Sequence, residues 1–412
     1  MKTTQQFKRT ALVTALATCL LAGSAFAQDA APADQAPAKA QNLDTITVTG
    51  SRIRSSDIET AQPVFTMDRQ AIKATGLTNV DDILARMPSA GTPDITPQDT
   101  LASGADVGGR YVNIRNLGSQ RTLVLVNGRR WSSSLSGLTD LSTIPVSMID
   151  RIDVLKDGAS SIYGSDAIGG VVNIITRERF DGAEANVYYG QNGKGDGVTK
   201  NADFTWGHST QKSALIIGAS YQDTNPMWNS ERSETRYAQG PRHPDQGLGL
   251  GPWGRVVDPN SGDSYVINHG TGVNANSANI GDYHLYDPDS NADKYATQND
   301  MTFRAGSKLK NLFLQERYNL TDNVTLRGAA SYSTRDSNSQ LAGYPFQTAA
   351  GRGDGLFIDP NNAYNPFPGE QTEFFRRTVE MPRITYSNAK MAHIDFGAEG
   401  YFQFLNHDWN WE

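Results

Sequence analysis

The sequence predicts a small α+β domain followed by an antiparallel transmembrane β-barrel. Three observations predict it. The first 27 residues have the build of a secretory signal. Residues 140–176 read DLSTIPVSMIDRIDVLKDGASSIYGSDAIGGVVNIIT, two apolar runs around a glycine-rich knot. From residue 183 onward the hydrophobic period becomes two, in runs of ten or more residues with polar loops between them.

The signal comes first. Lys2, Lys8 and Arg9 form a basic start, residues 11–21 an apolar run, and Ala25-Phe26-Ala27 a small-x-small cleavage site. The apolar run is too short to span a bilayer. Cleavage lowers the net charge from −7 to −10, because it removes three basic residues and no acid. The only cysteine, Cys19, leaves with it, so the mature chain has no disulfide. No run of Lys or Arg marks a nucleic-acid face, and the acidic balance argues against one.

Residues 28–43, rich in Ala, Pro and Gln, read as a flexible linker. Asp44, Thr45, Ile46, Thr47, Val48, Thr49 and Gly50 follow as an isolated β-rich heptad. Such a segment serves either as the first strand of the next domain or as a recognition strand for another protein's sheet edge. Residues 51–180 then form the small domain. Thr78 is placed to cap a helix carrying Val80, Ile83, Leu84 and Met87 on one face, ended by Pro88. Tyr111, Val112 and Ile114 belong to one strand and residues 122–126 to another. Asn127-Gly128 is a hairpin-turn signal before Arg129. In 140–176, Pro145 suits the first turn of a helix, 151–155 and 171–175 are strands, and the glycines between them mark tight bends.

Residues 181–412 carry the barrel pattern. Ala392, Ile394, Phe396 and Ala398 alternate with His393, Asp395 and Glu399, and Ala183, Ala185 and Val187 with Glu184 and Asn186. The link at Thr321-Asp322-Asn323 is tight, whereas 225–302 and 336–377 are long. Tight turns on one side and long loops on the other is the asymmetry of an outer-membrane barrel.

With these stretches in view, the chain resembles the TonB-dependent receptors of the Gram-negative outer membrane. The heptad DTITVTG looks like a TonB box, YVNIRNLGSQRTLVLVNGRR (111–130) like the middle of the plug domain, and 140–177 like its closing segment. Asn116 follows Arg115 where the family often has Gly, and Lys156-Asp157-Gly158 stands where it often has Arg-Gly-Pro. The resemblance implies a plug inside a barrel of about 22 strands, and uptake of a scarce nutrient such as a siderophore–metal complex, cobalamin or a saccharide. Partners implied are the TonB protein of the inner-membrane energy-transducing complex and outer-membrane lipid. About six strands follow residue 183, with a seventh starting at His407. The barrel is therefore expected to be incomplete in this chain, which reads as the N-terminal part of a longer receptor and not as a working channel, since open edges are not tolerated in lipid.

The resemblance also suggests plug–barrel ion pairs, with Arg115 and Arg151 on the plug and Glu316 and Glu399 on the strands. A solvated surface pair is the plainer alternative. In the loops Trp253, Tyr283, Tyr286, Tyr364 and Phe367 are candidate ligand contacts, and equally candidate girdle or loop-core residues. Asp287, Asp289, Asn291 and Asp293 have calcium-loop spacing, but Ala292 and Gln298 replace the Gly and Glu such a loop needs. The six histidines show no ligand spacing, so no metal is expected. GLGLGPWG at 247–254 lacks a flanking strand and helix, and no Ser-His-Asp or paired-carboxylate set can be placed. Neither enzymatic activity nor a cofactor is expected. The main alternative to a receptor is a secreted or surface β-rich adhesin-like protein.

Overall fold

The computed structural model describes residues 64–99, 106–244, 247–269, 277–348, 356–405 and 407–412. The signal, the linker and the heptad lie outside these residues.

The small domain is built on a five-stranded sheet. Its order is Val64–Asp68, Ile149–Leu155, Gly170–Thr176, Thr122–Val126 and Arg129–Arg130. All neighbours are antiparallel except Thr122–Val126 and Gly170–Thr176, which run parallel. These two central strands read TLVLV and GVVNIIT and are buried almost throughout, as strands covered on both faces must be. On one face Ile72, Val80, Ile83, Leu84, Ile152, Val154, Val172 and Ile174 form the main core. On the other, Leu123, Leu125, Leu155, Ala167 and Val171 form a smaller one.

The Asn127-Gly128 turn forms where its chemistry predicts. Both residues have positive φ, 51° and 77°, the geometry that matches strand twist. Asn173, a polar residue inside a buried strand, closes this turn: its Oδ1 accepts from Gly128 N at 2.9 Å. Two local details differ from the sequence reading. Asn79, not Thr78, is the N-cap of the helix Val80–Leu84. The stretch around Pro145 forms two short 3-10 turns, Leu141–Thr143 and Val146–Met148, because Asp140 and Pro145 each start a turn that the next extended residue stops.

Gly170 and its neighbour are required by space. Gly170 has φ +147°, and a Cβ there would sit 2.6 Å from the Leu155 carbonyl oxygen. At Gly169 a Cβ would meet Arg121 O at 2.9 Å. Strand pairing at this corner leaves no room for a side chain.

The second part is a seven-stranded antiparallel sheet, here called the wall. In spatial order it consists of Gly182–Gly190, Thr199–Ser209, Ser213–Thr224, Gly306–Thr321, Val324–Leu341, Arg383–Phe404 and His407–Trp411. The sheet is open among the described residues. Alternation decides its faces. Val187, Phe204, Ile217, Leu312, Ile394 and Phe396 lie exposed on the outer face, with Ile394 at 83%. Glu184, Asn311, Ser333, Arg335, Ser337 and Glu399 face the plug side and are buried or half-buried. Phe402 and Trp409 stack beside the short link that joins the last two strands, in keeping with an interfacial aromatic belt. No helix among the described residues is long and apolar enough to cross a membrane.

The long loops are not structureless. Strands from both of them join into a five-stranded sheet, in the order Tyr283–Leu285, Ser264–Ile267, Arg255–Val257, Glu373–Arg377 and Pro345–Gln347. Val256, Ile267 and Tyr283 are its core, packed by Trp253, Tyr265, Phe367 and Phe374.

Candidate functional site at the plug–wall interface

The small domain rests on the inner face of the wall, and the contact is mostly polar. At its centre Arg335, 4% exposed, donates from Nε to Asp140 Oδ2 at 2.9 Å and from Nη1 to the Val107 carbonyl. Asp140 has further duties. Its Oδ1 accepts from Arg110 N at 3.1 Å and from Ser142 N at 3.0 Å, so the residue that meets the wall also starts the 3-10 turn. Around this pair the wall donates to the domain's own carbonyls. Ser337 Oγ reaches Val107 O at 2.7 Å, Ser333 Oγ reaches Thr143 O at 3.1 Å and Gln315 Nε2 reaches Arg177 O at 3.1 Å. The apolar part is smaller: Ile216 and Phe313 of the wall reach the main core.

Two ionic clusters flank this centre. Glu184 on the first wall strand takes Arg69 at 3.0 Å, Lys73 at 2.7 Å and Arg177 at 3.0 Å. Arg129, just after the hairpin turn, pairs with Asp395 at 2.7 Å and Glu412 at 2.9 Å. A cavity of about 380 Å³ lies beside the first cluster, between Arg69, Lys73 and Ser142 on one side and Asn201, Asp203 and Gln222 on the other. Each polar contact in these clusters is a hydrogen bond or ion pair that water can replace. The domain's interior, by contrast, is mostly apolar.

Inside the domain, Arg110 is buried and pairs with Asp81 at 2.8 Å and Asp82 at 3.4 Å. Burial pushes the Asp81 carboxyl above the usual carboxylate range, with Arg110 pulling it back. Burial likewise pushes the Tyr111 phenol up, and the Asp140 carboxylate adds to this.

The ion pairs suggested from the sequence are not the ones formed. Arg115 faces Asp157 at 3.6 Å, and both are largely exposed. Arg151 pairs within its own strand with Asp153 at 3.2 Å. Glu399 faces inward, bridging Arg317 at 2.9 Å and Arg327 at 3.4 Å, both wall residues. Glu316 is exposed on the outer face, because Gln315 and Arg317 take the inward positions on either side of it. The inward register does identify Glu184 and Asp395; nothing in the sequence singled out Arg335 or Asp140. Of the aromatic candidates, Trp253, Tyr283 and Phe367 belong to the loop-sheet core. Tyr286 lies under the Arg255 guanidinium at 4.6 Å, and Tyr364 is 61% exposed.

Residues 56–171 match the family model described as "TonB-dependent Receptor Plug Domain". This stretch is a plug domain of the TonB-dependent receptor kind. The matched stretch ends inside the strand Gly170–Thr176, and the seven-stranded antiparallel sheet follows it. Solved structures similar to this chain include a point mutant of the ferric enterobactin receptor from Pseudomonas aeruginosa. It shows 19% identity and a TM-score of 0.43, over 83% of this chain and 40% of that one. The siderophore receptor PirA from Acinetobacter baumannii shows 15% identity and a TM-score of 0.40, over 83% and 46%. The ferric-catecholate import receptor Fiu from E. coli K12 shows 13% and 0.38, over 84% and 47%. The chain therefore spans less than half the length of these structures.

The Arg115-Asn116 departure from the plug pattern now has a reason. Both residues are left-handed, with φ of 61° and 56°. Asn is among the non-glycine residues best suited to that region. Its Oδ1 also accepts from Thr92 N at 3.1 Å, so Asn116 both bends the chain and ties the bend down.

Proposed function

We propose that this protein is an outer-membrane receptor for energy-coupled uptake of a scarce nutrient, such as a siderophore–metal complex, cobalamin or a saccharide. The observation that carries the reading is the plug domain, docked on an antiparallel wall through hydrogen bonds and ion pairs. A secreted adhesin has no use for a plug held this way.

In this reading residues 44–50 are the handle. An extended Thr-Ile-Thr-Val-Thr segment offers backbone donors and acceptors along one edge, and a strand of the TonB protein adds to it. Pulling force passes through the chain to the plug, whose polar contacts with the wall give way before its core does.

The test is a pull-down of the full chain with the periplasmic domain of TonB, with and without Val48→Pro. Proline removes one ladder donor and restricts the residue before it. Retention of the unaltered chain and loss of the variant supports the coupling. Equal retention of both, or of neither with the plug folded, overturns it.

A further inference from the structure

His269 follows the loop-sheet strand Ser264–Ile267, and His284 lies on its neighbour Tyr283–Leu285. Their register sets Ile267 opposite Tyr283, and Asn268 N donates to Asp282 O at 2.9 Å, which fixes the corner. The chain then returns through Tyr295, paired with Leu248 through both backbone groups, and brings Asp293 to the same place. His269 Nε2 lies 2.9 Å from Asp293 Oδ1. His284 Nε2 lies 3.0 Å from Oδ1 and 3.1 Å from Oδ2. One ligand atom from each residue fits within 4.8 Å of the others. The carboxylate is buried, whereas both rings keep an open side. The even scatter of histidines along the sequence hides this convergence.

Both rings are held from behind. Trp253 stacks on His269 at 3.8 Å and 13°, and is itself edge-on to Tyr295. His284 Nδ1 lies 2.9 Å from Asn268 Oδ1. In the neutral tautomer that donates Nδ1–H to this oxygen, the Nε2 lone pair is aimed at Asp293. At that distance Nε2 and the carboxylate are joined by a shared cation, either a proton or a metal ion. A second-sphere amide that sets the tautomer is the usual support of a ligating histidine.

We propose that His269, His284 and Asp293 bind a divalent transition-metal ion of the zinc type. Two imidazoles and a carboxylate suit zinc, cobalt or nickel, whereas calcium and magnesium want oxygen ligands. A tetrahedral ion with bonds of about 2.1 Å spaces its ligand atoms by about 3.4 Å, so the cluster admits one after opening by a few tenths of an ångström. Three protein ligands leave a fourth position for solvent or an incoming ligand. The site lies on the loop sheet and owes nothing to the TonB reading.

The test is calorimetric titration of the full chain in detergent micelles with zinc ion, repeated with cobalt ion while following its visible absorption. One ion per chain is expected, with the absorption of a low-coordinate cobalt site. His269→Gln and His284→Gln each weaken binding by more than about 100-fold, and Asn268→Ala, which spares every ligand atom, by about 10-fold. His243→Gln, a loop histidine outside the cluster, leaves it unchanged. No saturable binding by the unaltered chain overturns the proposal, as does a His269→Gln/His284→Gln double variant that binds as tightly. Should the double variant lose its strand signal in circular dichroism, unchanged affinity in Asn268→Ala overturns it instead.

Discussion

Arg335 donates from Nε to Asp140 Oδ2 at 2.9 Å, joining wall and plug across 195 positions of sequence. The guanidinium is almost fully buried, and that carboxylate balances its charge. Removing one partner of such a pair strands the other and costs about 3–5 kcal/mol. Arg335→Met should therefore loosen the plug without unfolding it. Hydrogen exchange at 107–111 and 140–144 rises, while the core strand Gly170–Thr176 stays protected. Asp140→Asn, which keeps an oxygen for the turn, gives a smaller rise.

Arg110 predicts a pH-dependent defect. Arg110→Met leaves Asp81 buried beside Asp82 with its carboxyl raised further. A carboxyl raised on folding contributes stability that is present below its unfolded value and lost as pH rises through its folded value. The variant should lose about 3 kcal/mol at neutral pH and visibly less near pH 5. Urea unfolding of the plug at the two pH values measures this; an equal loss at both contradicts it.

Gly170 and Gly128 separate space from backbone strain. Gly128 has φ +77° with nothing near its missing Cβ, whereas a Cβ at Gly170 collides with backbone. Gly128→Ala should cost about 1 kcal/mol. Gly170→Ala should cost more than 3 kcal/mol, since strain and a broken strand pairing add. Thermal unfolding of both variants gives the ranking.

Asn116 should accept glycine and refuse a β-branched residue. Asn116→Gly stays within about 0.5 kcal/mol of the unaltered chain, since the lost tie to Thr92 is offset by relief of positive φ. Asn116→Val loses about 1–2 kcal/mol for the left-handed backbone alone. The same unfolding measurement decides it.

The plug core and the wall strands were legible because their signals are local. TLVLV and GVVNIIT are buried-strand compositions, Asn127-Gly128 admits few other conformations, and the alternation at 392–399 assigns faces residue by residue. The plug–wall pairs were not legible as pairs. Register told that Asp395 and Glu399 face inward, but which arginine meets them depends on how the plug is turned, and no local pattern records that turn. Arg115 and Arg151 carried the motif resemblance, yet each had a carboxylate nearer in its own domain. The convergence of His269, His284 and Asp293 was hidden for the same reason. Strand pairing, and not spacing along the chain, brings them together.

The loop sheet pairs Val256 from one long connection with Phe374 from the other. An antibody that grips this surface meets an epitope assembled from two distant chain segments. Linear peptides copied from either segment should fail to compete for such a binder. Shortening either connection should erase the epitope carried by both.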